Sequence, residues 1–364
     1  MTQSFNSGWT SVGPNSALDT ADIPDDADAL RLPPGFALIA EDPELGPSVS
    51  SCLAEVEKEL RGAIANSDPL ADATSRHLVE AGGKRIRPLL TILASHLGNP
   101  THAKVVQAAV VVELTHLATL YHDDVMDSAP YRRGAPTAHE VWGNSVAILT
   151  GDLIFARASI LVSELGGEAL GIQARTFERL CLGQLHETVG PRDGQDDLEH
   201  YLSVIADKTG SLVAASGQLG ALFADTPPEV VDVMVSYGEK VGVAFQLADD
   251  VIDVTGLKVT SGKAPGTDLR EGVPTLPVIL LRRAAAAGDT SAADVIALVD
   301  SDLSSDEALA DAVEAVRSHP QTQEAWAVAQ QWADDAVAAL EPLPDSTVKQ
   351  ALASFAQAVV SRDV

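Results

Sequence analysis

The chain has 364 residues, of which 46% are hydrophobic and 4% aromatic, and its formal net charge is −28 at pH 7. This length and apolar content allow one large core. The acidic excess argues against nucleic acid and anionic lipid as partners held by bulk charge. Two cysteines, Cys52 and Cys181, are too few for a disulfide framework and indicate reduced thiols in a cytoplasmic protein.

In chain order, residues 1–45 are rich in Ser, Asp, Pro and Gly and predict a mobile leader without a signal peptide. Helical periodicity then continues almost without interruption, so we expect residues 46–364 to form a single all-α domain built as one large bundle of long helices. No alternating strand is evident, and no uninterrupted apolar run reaches the ~20 residues of a membrane span. Predicted helices begin near Pro47 and cover 84–97, 102–127, 138–165, 168–189, 197–224, 227–254, 274–287, 304–317, 321–341 and 345–361.

Two acidic motifs of the form DDxxD end apolar stretches of the chain. The first comprises Asp123, Asp124 and Asp127, and the second comprises Asp249, Asp250 and Asp253. In a helix, the outer two carboxylates of each motif project from nearly one side and repel each other by about 0.2–0.5 kcal/mol. Divalent cations offset such repulsion, and hard oxygen ligands favour Mg²⁺, Mn²⁺ or Ca²⁺ over zinc. One copy is compatible with a solvated helix end, whereas two copies favour a metal-dependent site.

Basic residues are scarce, yet several lie beside glycines or aspartates. They are Lys84, Arg85 and Arg87 in GGKRIRP, Arg132 and Arg133 after the first motif, Lys208 beside Thr209 in ADKTGS, and Lys263 after the second motif. Each alone is compatible with an ordinary surface cation. A helix N-terminus with added cations binds anions. Phosphate groups bridged to carboxylates through Mg²⁺ account for all these clusters, so the pattern predicts a diphosphate substrate.

Two further polar residues lie on the motif helices. His116 precedes Asp123 by seven residues, and Gln246 stands in the same relation to Asp253. Each is compatible either with a packed core residue or with a site residue on the face of its motif.

Together these segments resemble the trans-isoprenyl (polyprenyl) diphosphate synthase family, of the long-chain type, over residues 50–360. The resemblance is carried by GGKRIRP, ELTHLATLYHDDVMD, RRG, GDLIFARA, KTGSL, GVAFQLADDVID and GTDLREGVPTLPV, in that order. It implies a helical bundle around a central apolar cavity, usually as a homodimer. The implied reaction joins isopentenyl diphosphate head-to-tail to an allylic diphosphate. One departure is Val273, which stands where the family often has Lys, so the details of that loop differ.

The resemblance also implies roles for the candidate residues. Both aspartate motifs would hold three Mg²⁺ ions, or Mn²⁺ in their place, on the allylic diphosphate. Help would come from Arg132, Lys208, Thr209, Gln246 and Lys263. Isopentenyl diphosphate would be bound by Lys84, Arg87, His116 and Arg133, with Arg85 nearby. The reaction needs no protein nucleophile.

Product length is expected to depend on the residues one helical turn below the first motif. Ala118 and Thr119 lie there, about 6–7 Å below Asp123, and both are small. An open tunnel at this point predicts an all-trans product of medium to long chain, about C30 to C50, such as a quinone side chain. The enzyme would then act in the cytoplasm, near the membrane surface where an apolar product is released.

Three other functions fit parts of the pattern. A geranylgeranyl (C20) diphosphate synthase fits if another helix closes the tunnel. A class I terpene cyclase also ionises an allylic diphosphate, but it has an Asn/Ser/Glu second motif and no GGKR segment. A non-catalytic partner subunit fits less well, because such subunits typically lose motif aspartates and this chain keeps all six.

Overall fold

The computed structural model describes residues 35–256 and 265–361. Most of the leader expected at 1–45, and Lys263, lie outside the described residues. In the described part of the chain, helices dominate and the all-α prediction is confirmed.

The first helices carry the GGKR segment and the first acidic motif. They are α1 (Ala37–Glu41), α2 (Leu45–Ile64), α3 (Pro69–Glu80), α4 (Ile86–Ser95), α5 (Lys104–Met126), α6 (Ala138–Trp142), α7 (Asn144–Leu165) and α8 (Gly167–Val189). The central helices carry the second motif and are α9 (Asp197–Ile205), a π-helix (Ala206–Gly210), α10 (Ser211–Phe223) and α11 (Pro228–Thr255). The last helices are α12 (Thr267–Glu271), α13 (Leu276–Ala286), α14 (Thr290–Val299), α15 (Asp306–Ser318), α16 (Pro320–Ala339) and α17 (Thr347–Val360).

Helix α3 was not predicted, although its N-terminus has a recognisable signal. The carboxylate of Asp68 accepts hydrogen bonds from the backbone N–H groups of Leu70 and Ala71, and Pro69 occupies the first helical position. An Asp cap followed by Pro is a common way to start a helix. Helix α14 was not predicted either, although the carboxylate of Asp289 caps its N-terminus in the same manner.

Helix α10 joins the two halves of the bundle that carry the acidic motifs. It packs against α5 on one side and against α11 on the other. It is buried along most of its length, and small residues allow the close approach: a Cβ at Gly220 would lie 2.1 Å from the carbonyl oxygen of Thr91 on α4. Consequently α5 and α11 are neighbours of one central helix, and both motifs lie at the C-terminal ends of their helices.

Two short strands interrupt the helical pattern after the first motif, so the expectation of no strand is wrong in this detail. Strand β1 (Tyr131–Arg132) pairs antiparallel with β2 (Ala135–Pro136). The two turn residues, Arg133 and Gly134, have positive φ values of 53° and 79°. This is the backbone of a tight hairpin turn, and it fixes the direction of Arg133.

Part of the stretch 1–45, which was expected to be a leader, is described by the structure from residue 35 onward. Phe36 is fully buried and its ring stacks on Phe355 of α17, with centroids 4.5 Å apart. Gly35 has φ +93°, and a Cβ there would lie 2.7 Å from the Cα of Phe355. The chain is therefore packed onto the C-terminal helix from residue 35 onward.

Helices α5 and α7 are each long and apolar enough to cross a membrane by length and composition alone, a property that the sequence analysis did not anticipate. The apolar window of α5 is 67% buried, whereas that of α7 is only 33% buried. Burial of this extent identifies α5 as a core helix. Helix α7 instead exposes apolar side chains, including Ile148, Leu149 and Ile160.

Candidate active site

The first acidic motif lies at the last turn of α5 in a largely apolar setting. Burial raises the pKa of Asp123 to about 6, with Lys208 opposing the shift and Asp127 adding to it. Asp124 is only 1% exposed, and one of its oxygens accepts from Arg132. Its Oδ2 is buried without a hydrogen-bond partner. A buried carboxylate oxygen without a partner can bind a cation, or accept a hydrogen bond from a donor, that arrives with the substrate.

The second motif ends α11 and is held by neighbouring side chains. Asp250 is buried, and burial raises its pKa to about 7 although two donors oppose the shift. Those donors are the hydroxyl of Tyr201 and the amide of Gln246, whose Nε2 lies 2.9 Å from Oδ1. Asp253 accepts from the backbone N–H of Asp268 at 3.2 Å. Asp249 is partly buried on the same helix end.

The π-helix Ala206–Gly210 connects the two motifs. The amine of Lys208 donates to the carboxylate of Glu187. Burial lowers the pKa of Lys208, but the effect of nearby carboxylates is larger, so the pKa lies above its usual range. Among those carboxylates is Asp123 of the first motif. The next residue, Thr209, donates to the Oε1 of Gln246 at 3.2 Å. Two adjacent residues of this segment thus interact with side chains of both motif helices, Asp123 on α5 and Gln246 on α11.

The GGKR segment wraps around Arg133 from the hairpin. Gly82 and Gly83 have φ values of +84° and +152°, and a Cβ at Gly83 would lie 2.9 Å from the Cζ of Arg133. The guanidinium donates to the carbonyl oxygens of Gly82 and Leu78. Lys84 is exposed beside this loop. Glycine is favoured at both positions because the backbone has positive φ values. At Gly83, the guanidinium of Arg133 also occupies the space that a side chain would need.

A buried basic cluster lies next to this loop, at the start of α4. The Nε of Arg87 is buried without a partner. Burial lowers the pKa of His116 well below its usual value, and the neighbouring arginines, led by Arg87 and Arg133, lower it further. An anion in this cluster would meet uncompensated positive charge and a neutral imidazole.

Arg85 differs from the other basic residues of GGKRIRP. It adopts the left-handed conformation, with φ 48°, and donates to Glu57 and to the Oε1 of Glu113 at 2.9 Å. Glu113 is 2% exposed. The Arg85 guanidinium is therefore paired with two carboxylates, whereas the Nε of Arg87 has no partner.

A cavity of about 330 Å³, including space open to solvent, adjoins the basic cluster. Arg87 and Thr209 contribute polar groups to its wall, and Phe245 and Phe355 contribute aromatic rings. The cavity therefore combines a mostly apolar lining with one guanidinium and one hydroxyl group. Such a combination suits a short apolar chain attached to a diphosphate.

The two residues expected to control product length have different surroundings. Ala118 is fully buried, and Gly151 of α7 lies against its carbonyl oxygen. Thr119 is partly exposed and donates to the carbonyl oxygen of His116 at 2.8 Å. One turn beyond Gly151, Phe155 stacks on Phe177 of α8 with ring centroids 3.7 Å apart.

The fit to divalent cations can be judged from the oxygen donors. Within 35–256 and 265–361, no group of three His, Cys, Asp or Glu side chains is close enough to hold a metal ion. Mg²⁺ does not need such a group, because it is usually held by one or two carboxylates together with waters and substrate phosphates. The neighbouring carboxylates of Asp123 and Asp127 and the unpartnered Oδ2 of Asp124 fit this mode of binding.

Several residues that shape the site were not predicted from the sequence. They are Glu57, Glu113, Arg179, Glu187, Tyr201, Asp207 and Glu239. Glu113 had a usable signal, since a lone acidic residue within the apolar run VVVELTH predicts a buried ion pair. The others are ordinary polar residues of amphipathic helices and acquire their partners only through packing.

Comparison with known proteins identifies related chains. A family model described as polyprenyl synthetase matches residues 68–316. A nonaprenyl diphosphate synthase of Mycobacterium tuberculosis is 43% identical over 316 residues, covering 86% of this chain and 93% of that protein. A heptaprenyl diphosphate synthase component 2 of Geobacillus stearothermophilus is 36% identical, with 86% and 97% covered. The structure of a geranylgeranyl pyrophosphate synthase from Corynebacterium glutamicum, complexed with calcium and isoprenyl diphosphate, has a TM-score of 0.79 and 43% identity, covering 88% and 98%.

Proposed function

Since the chain belongs to the polyprenyl synthetase family and is a prenyltransferase, we propose that it joins isopentenyl diphosphate head-to-tail to an allylic diphosphate. The product is an all-trans polyprenyl diphosphate. The observation that carries this proposal is the pair Lys208 and Thr209, which link the two acidic motifs beside a separate basic cluster. Two diphosphates therefore have two distinct binding regions, one acidic and one basic.

The allylic diphosphate binds between the two motifs. We propose Mg²⁺ as the cation, three ions per bound substrate, with Mn²⁺ able to replace it, held by Asp123, Asp124 and Asp127 on one side and by Asp249 and Asp253 on the other. When bound, the cations neutralise charge on the leaving diphosphate. Lys208, Thr209 and Gln246 bind its oxygens, and Lys263, which lies outside the described residues, joins them in this proposal. Arg132 pairs with Asp124 in the free protein and contacts the diphosphate when it is bound.

Isopentenyl diphosphate binds in the basic cluster, with its short chain in the adjoining cavity. Arg87, Arg133 and His116 hold the phosphates, and exposed Lys84 closes over them. The allylic C–O bond breaks, and the diphosphate leaves with the electron pair. The isopentenyl double bond then attacks the allylic carbon, and a proton passes to the released diphosphate. The apolar wall excludes water, which would otherwise capture the cation.

We propose a product of medium to long chain, about C30 to C50, because the residues one turn below the first motif, Ala118 and Thr119, have small side chains. The similarity to a nonaprenyl diphosphate synthase supports this length. A second candidate is a C20 product. The stacked rings of Phe155 and Phe177 favour it, since they lie one turn of α7 beyond Gly151 and are bulky enough to stop a growing chain.

The deciding experiment supplies the purified protein with labelled isopentenyl diphosphate and allylic starters of increasing length, with products identified by mass spectrometry. Products of C30 or more support the longer chain, and a limit at C20 supports the second candidate. Consumption of the allylic substrate without isopentenyl diphosphate would identify a terpene cyclase. Elongation only after mixing with a second protein would identify a partner subunit, as in the two-component arrangement that the Geobacillus relative's name indicates.

We propose that two copies of the chain associate through α7 and α8. The exposed apolar side chains of the two adjacent helices include Leu149 and Ile160 on α7 and Leu182 and Leu185 on α8. Several exposed large apolar side chains on two adjacent helices indicate a contact with another protein or a membrane. Light scattering should give twice the mass of one chain, and Leu149→Glu with Leu185→Glu should halve it. An unchanged mass in the variant, or a wild-type mass equal to that of one chain, contradicts the assignment.

We propose that the reaction takes place in the cytoplasm and that the apolar product leaves at the membrane surface. A long prenyl chain buries a large apolar area in the protein, so its release into water is unfavourable. Vesicles of neutral lipid should therefore raise steady-state turnover without changing the first catalytic cycle. Equal turnover with and without vesicles would contradict release at a membrane.

A further inference from the structure

The π-helix Ala206–Gly210 is a rare type of helix, and it carries two residues of the candidate active site. Its backbone N–H bonds span five residues, as in the bond from Ser211 to the carbonyl oxygen of Ala206. A π-helix is rare because its wider turn packs less well than an α-helix, and short π segments are common at functional sites. Here the wide turn carries Lys208 and Thr209. Its persistence requires stabilisation from the surrounding helices.

Arg179 on α8 supplies that stabilisation through a network of ion pairs. Its Nε lies 2.7 Å from the Oδ1 of Asp207, and its Nη2 lies 3.3 Å from the carbonyl oxygen of Ala206. Both guanidinium Nη atoms also donate to the carboxylate of Glu239 on α11, with Nη2 at 3.2 Å. These bonds raise the pKa of Arg179 above its usual range. One side chain thus ties α8, the π-helix and α11 together.

Close backbone contacts restrict the same segment from both sides. A Cβ at Gly183 of α8 would lie 2.8 Å from the backbone nitrogen of Lys208. A Cβ at Gly242 of α11 would lie 2.8 Å from the Cα of Gly210. The π-helix is therefore held between two helices at glycine contacts, and the guanidinium of Arg179 fixes its position between them.

We propose that Arg179 is a positioning residue for the allylic substrate, a role that rests on the proposed function. Its four hydrogen bonds to the protein occupy the guanidinium, so it acts through the segment that it holds. Arg179 keeps the wide turn in the register that presents the amine of Lys208 to the carboxylates of Glu187 and Asp123 and directs the hydroxyl of Thr209 toward Gln246. A rigid guanidinium fork is needed, because a lysine ammonium cannot bond both carboxylates in fixed directions.

The kinetic test combines Arg179→Ala, Lys208→Ala and the double variant. Arg179→Ala should lower kcat/KM for the allylic diphosphate by about 10- to 100-fold, as expected for misplacement of a binding group. The KM of isopentenyl diphosphate should stay within about twofold, because the basic cluster does not contact Arg179 and distant sites behave independently. In the Lys208→Ala background, Arg179→Ala should cost less than about threefold, since residues acting as a unit are non-additive. Arg179→Lys should lie between Arg179→Ala and the wild type.

A second readout is independent of activity. Hydrogen–deuterium exchange of the peptide 203–212 should be faster in Arg179→Ala than in the wild type, and inorganic pyrophosphate without metal should bind more weakly by calorimetry. Arg175→Ala removes an exposed arginine one turn away on the same helix and should match the wild type. If Arg179→Ala does not fold, Arg179→Lys carries the same comparisons.

Three results would overturn the proposal. Arg179→Ala could weaken the use of both substrates equally, or its effect on kcat/KM could be as large in the Lys208→Ala background as in the wild type. The third is an unchanged rate of hydrogen–deuterium exchange in the π-helix. Failure of the proposed function would look different. The wild type would not join the two diphosphates, while the exchange experiment would still report whether Arg179 holds the π-helix.

Discussion

Lys208 and Thr209 are adjacent in the chain, yet they contact opposite halves of the site. The ammonium of Lys208 donates to Glu187 on α8 and interacts electrostatically with Asp123 on α5, whereas the hydroxyl of Thr209 bonds Gln246 on α11. The π-helix makes this divergence possible, because its wider turn changes the direction of successive side chains relative to an α-helix. Two motifs that are 126 residues apart in the chain are thereby joined through one dipeptide.

The aspartate motifs should be essential for turnover and nearly neutral for folding. Asp123→Ala or Asp249→Ala should reduce kcat by about 100- to 1,000-fold, the range found when a group that stabilises transition-state charge is removed. Thermal melts should change little, because burial opposes ionisation of Asp123 in the free protein. Asp311→Ala, at an exposed position on α15, is the matched control. Wild-type kcat in either motif variant would refute the metal-ligand role.

Metal binding should depend on diphosphate. Because no group of three potential ligands is assembled within the described ranges, Mg²⁺ alone should bind weakly, and Mg²⁺ with inorganic pyrophosphate should bind at least about tenfold more tightly. Isothermal titration calorimetry measures both affinities. Asp249→Asn should remove the enhancement, and a chelator should abolish turnover. Tight Mg²⁺ binding without pyrophosphate would show that the protein alone forms the site.

Arg85 and Arg87 are two residues apart but should respond differently to substitution. Arg85→Ala leaves the buried carboxylate of Glu113 unpaired and should destabilise the protein by about 3 kcal/mol in urea denaturation. Arg87→Ala removes an unpartnered donor and should raise the KM of isopentenyl diphosphate by about 100-fold, given the strength of charge-assisted bonds to phosphate. Stability loss confined to Arg87→Ala would reverse the assignment.

Product length should respond to Thr119 more cleanly than to Ala118. Thr119 is partly exposed on the face of Asp123, so Thr119→Phe should shorten the main product by one or more isoprene units. Ala118→Phe would overpack the contact with α7 and should cost about 1–3 kcal/mol of stability. Chromatography of dephosphorylated products measures length, and Phe177→Ala tests lengthening. An unchanged distribution in Thr119→Phe would place the growing chain elsewhere.

Acid should destabilise the protein partly through His116. Burial and the neighbouring arginines lower its pKa well below 6.5, so the unfolded chain takes up a proton that the folded chain does not. This contribution to stability is present above the unfolded pKa and is lost as the pH falls. Below pH 6.5, wild-type stability should therefore fall relative to His116→Gln by at most about 1.4 kcal/mol per pH unit. Urea denaturation of both proteins from pH 7.5 to 5.5 measures this difference. The prediction is wrong if the stabilities of the wild type and His116→Gln change equally with pH.

Local pattern was sufficient for the helical class, the two acidic motifs and the basic segments. Apolar spacing reports which residues are buried, and DDxxD and GGKR carry their chemistry in neighbouring residues. Helices α3 and α14 and the short hairpin were not predicted, because their signals are single caps and a two-residue turn. The burial of Phe36 was not predicted either, because it depends on a helix more than 300 residues away.

Tertiary structure decided which charges face the substrates and which pair with one another. Arg85 and Arg87 look alike in GGKRIRP, but only packing against α2 and α5 places Glu57 and Glu113 beside Arg85. Arg179 acquires its role in the same way, from carboxylates 28 and 60 residues distant in the chain. Charge is a local property of the residue, whereas its partner is set by the approach of helices that are remote in sequence.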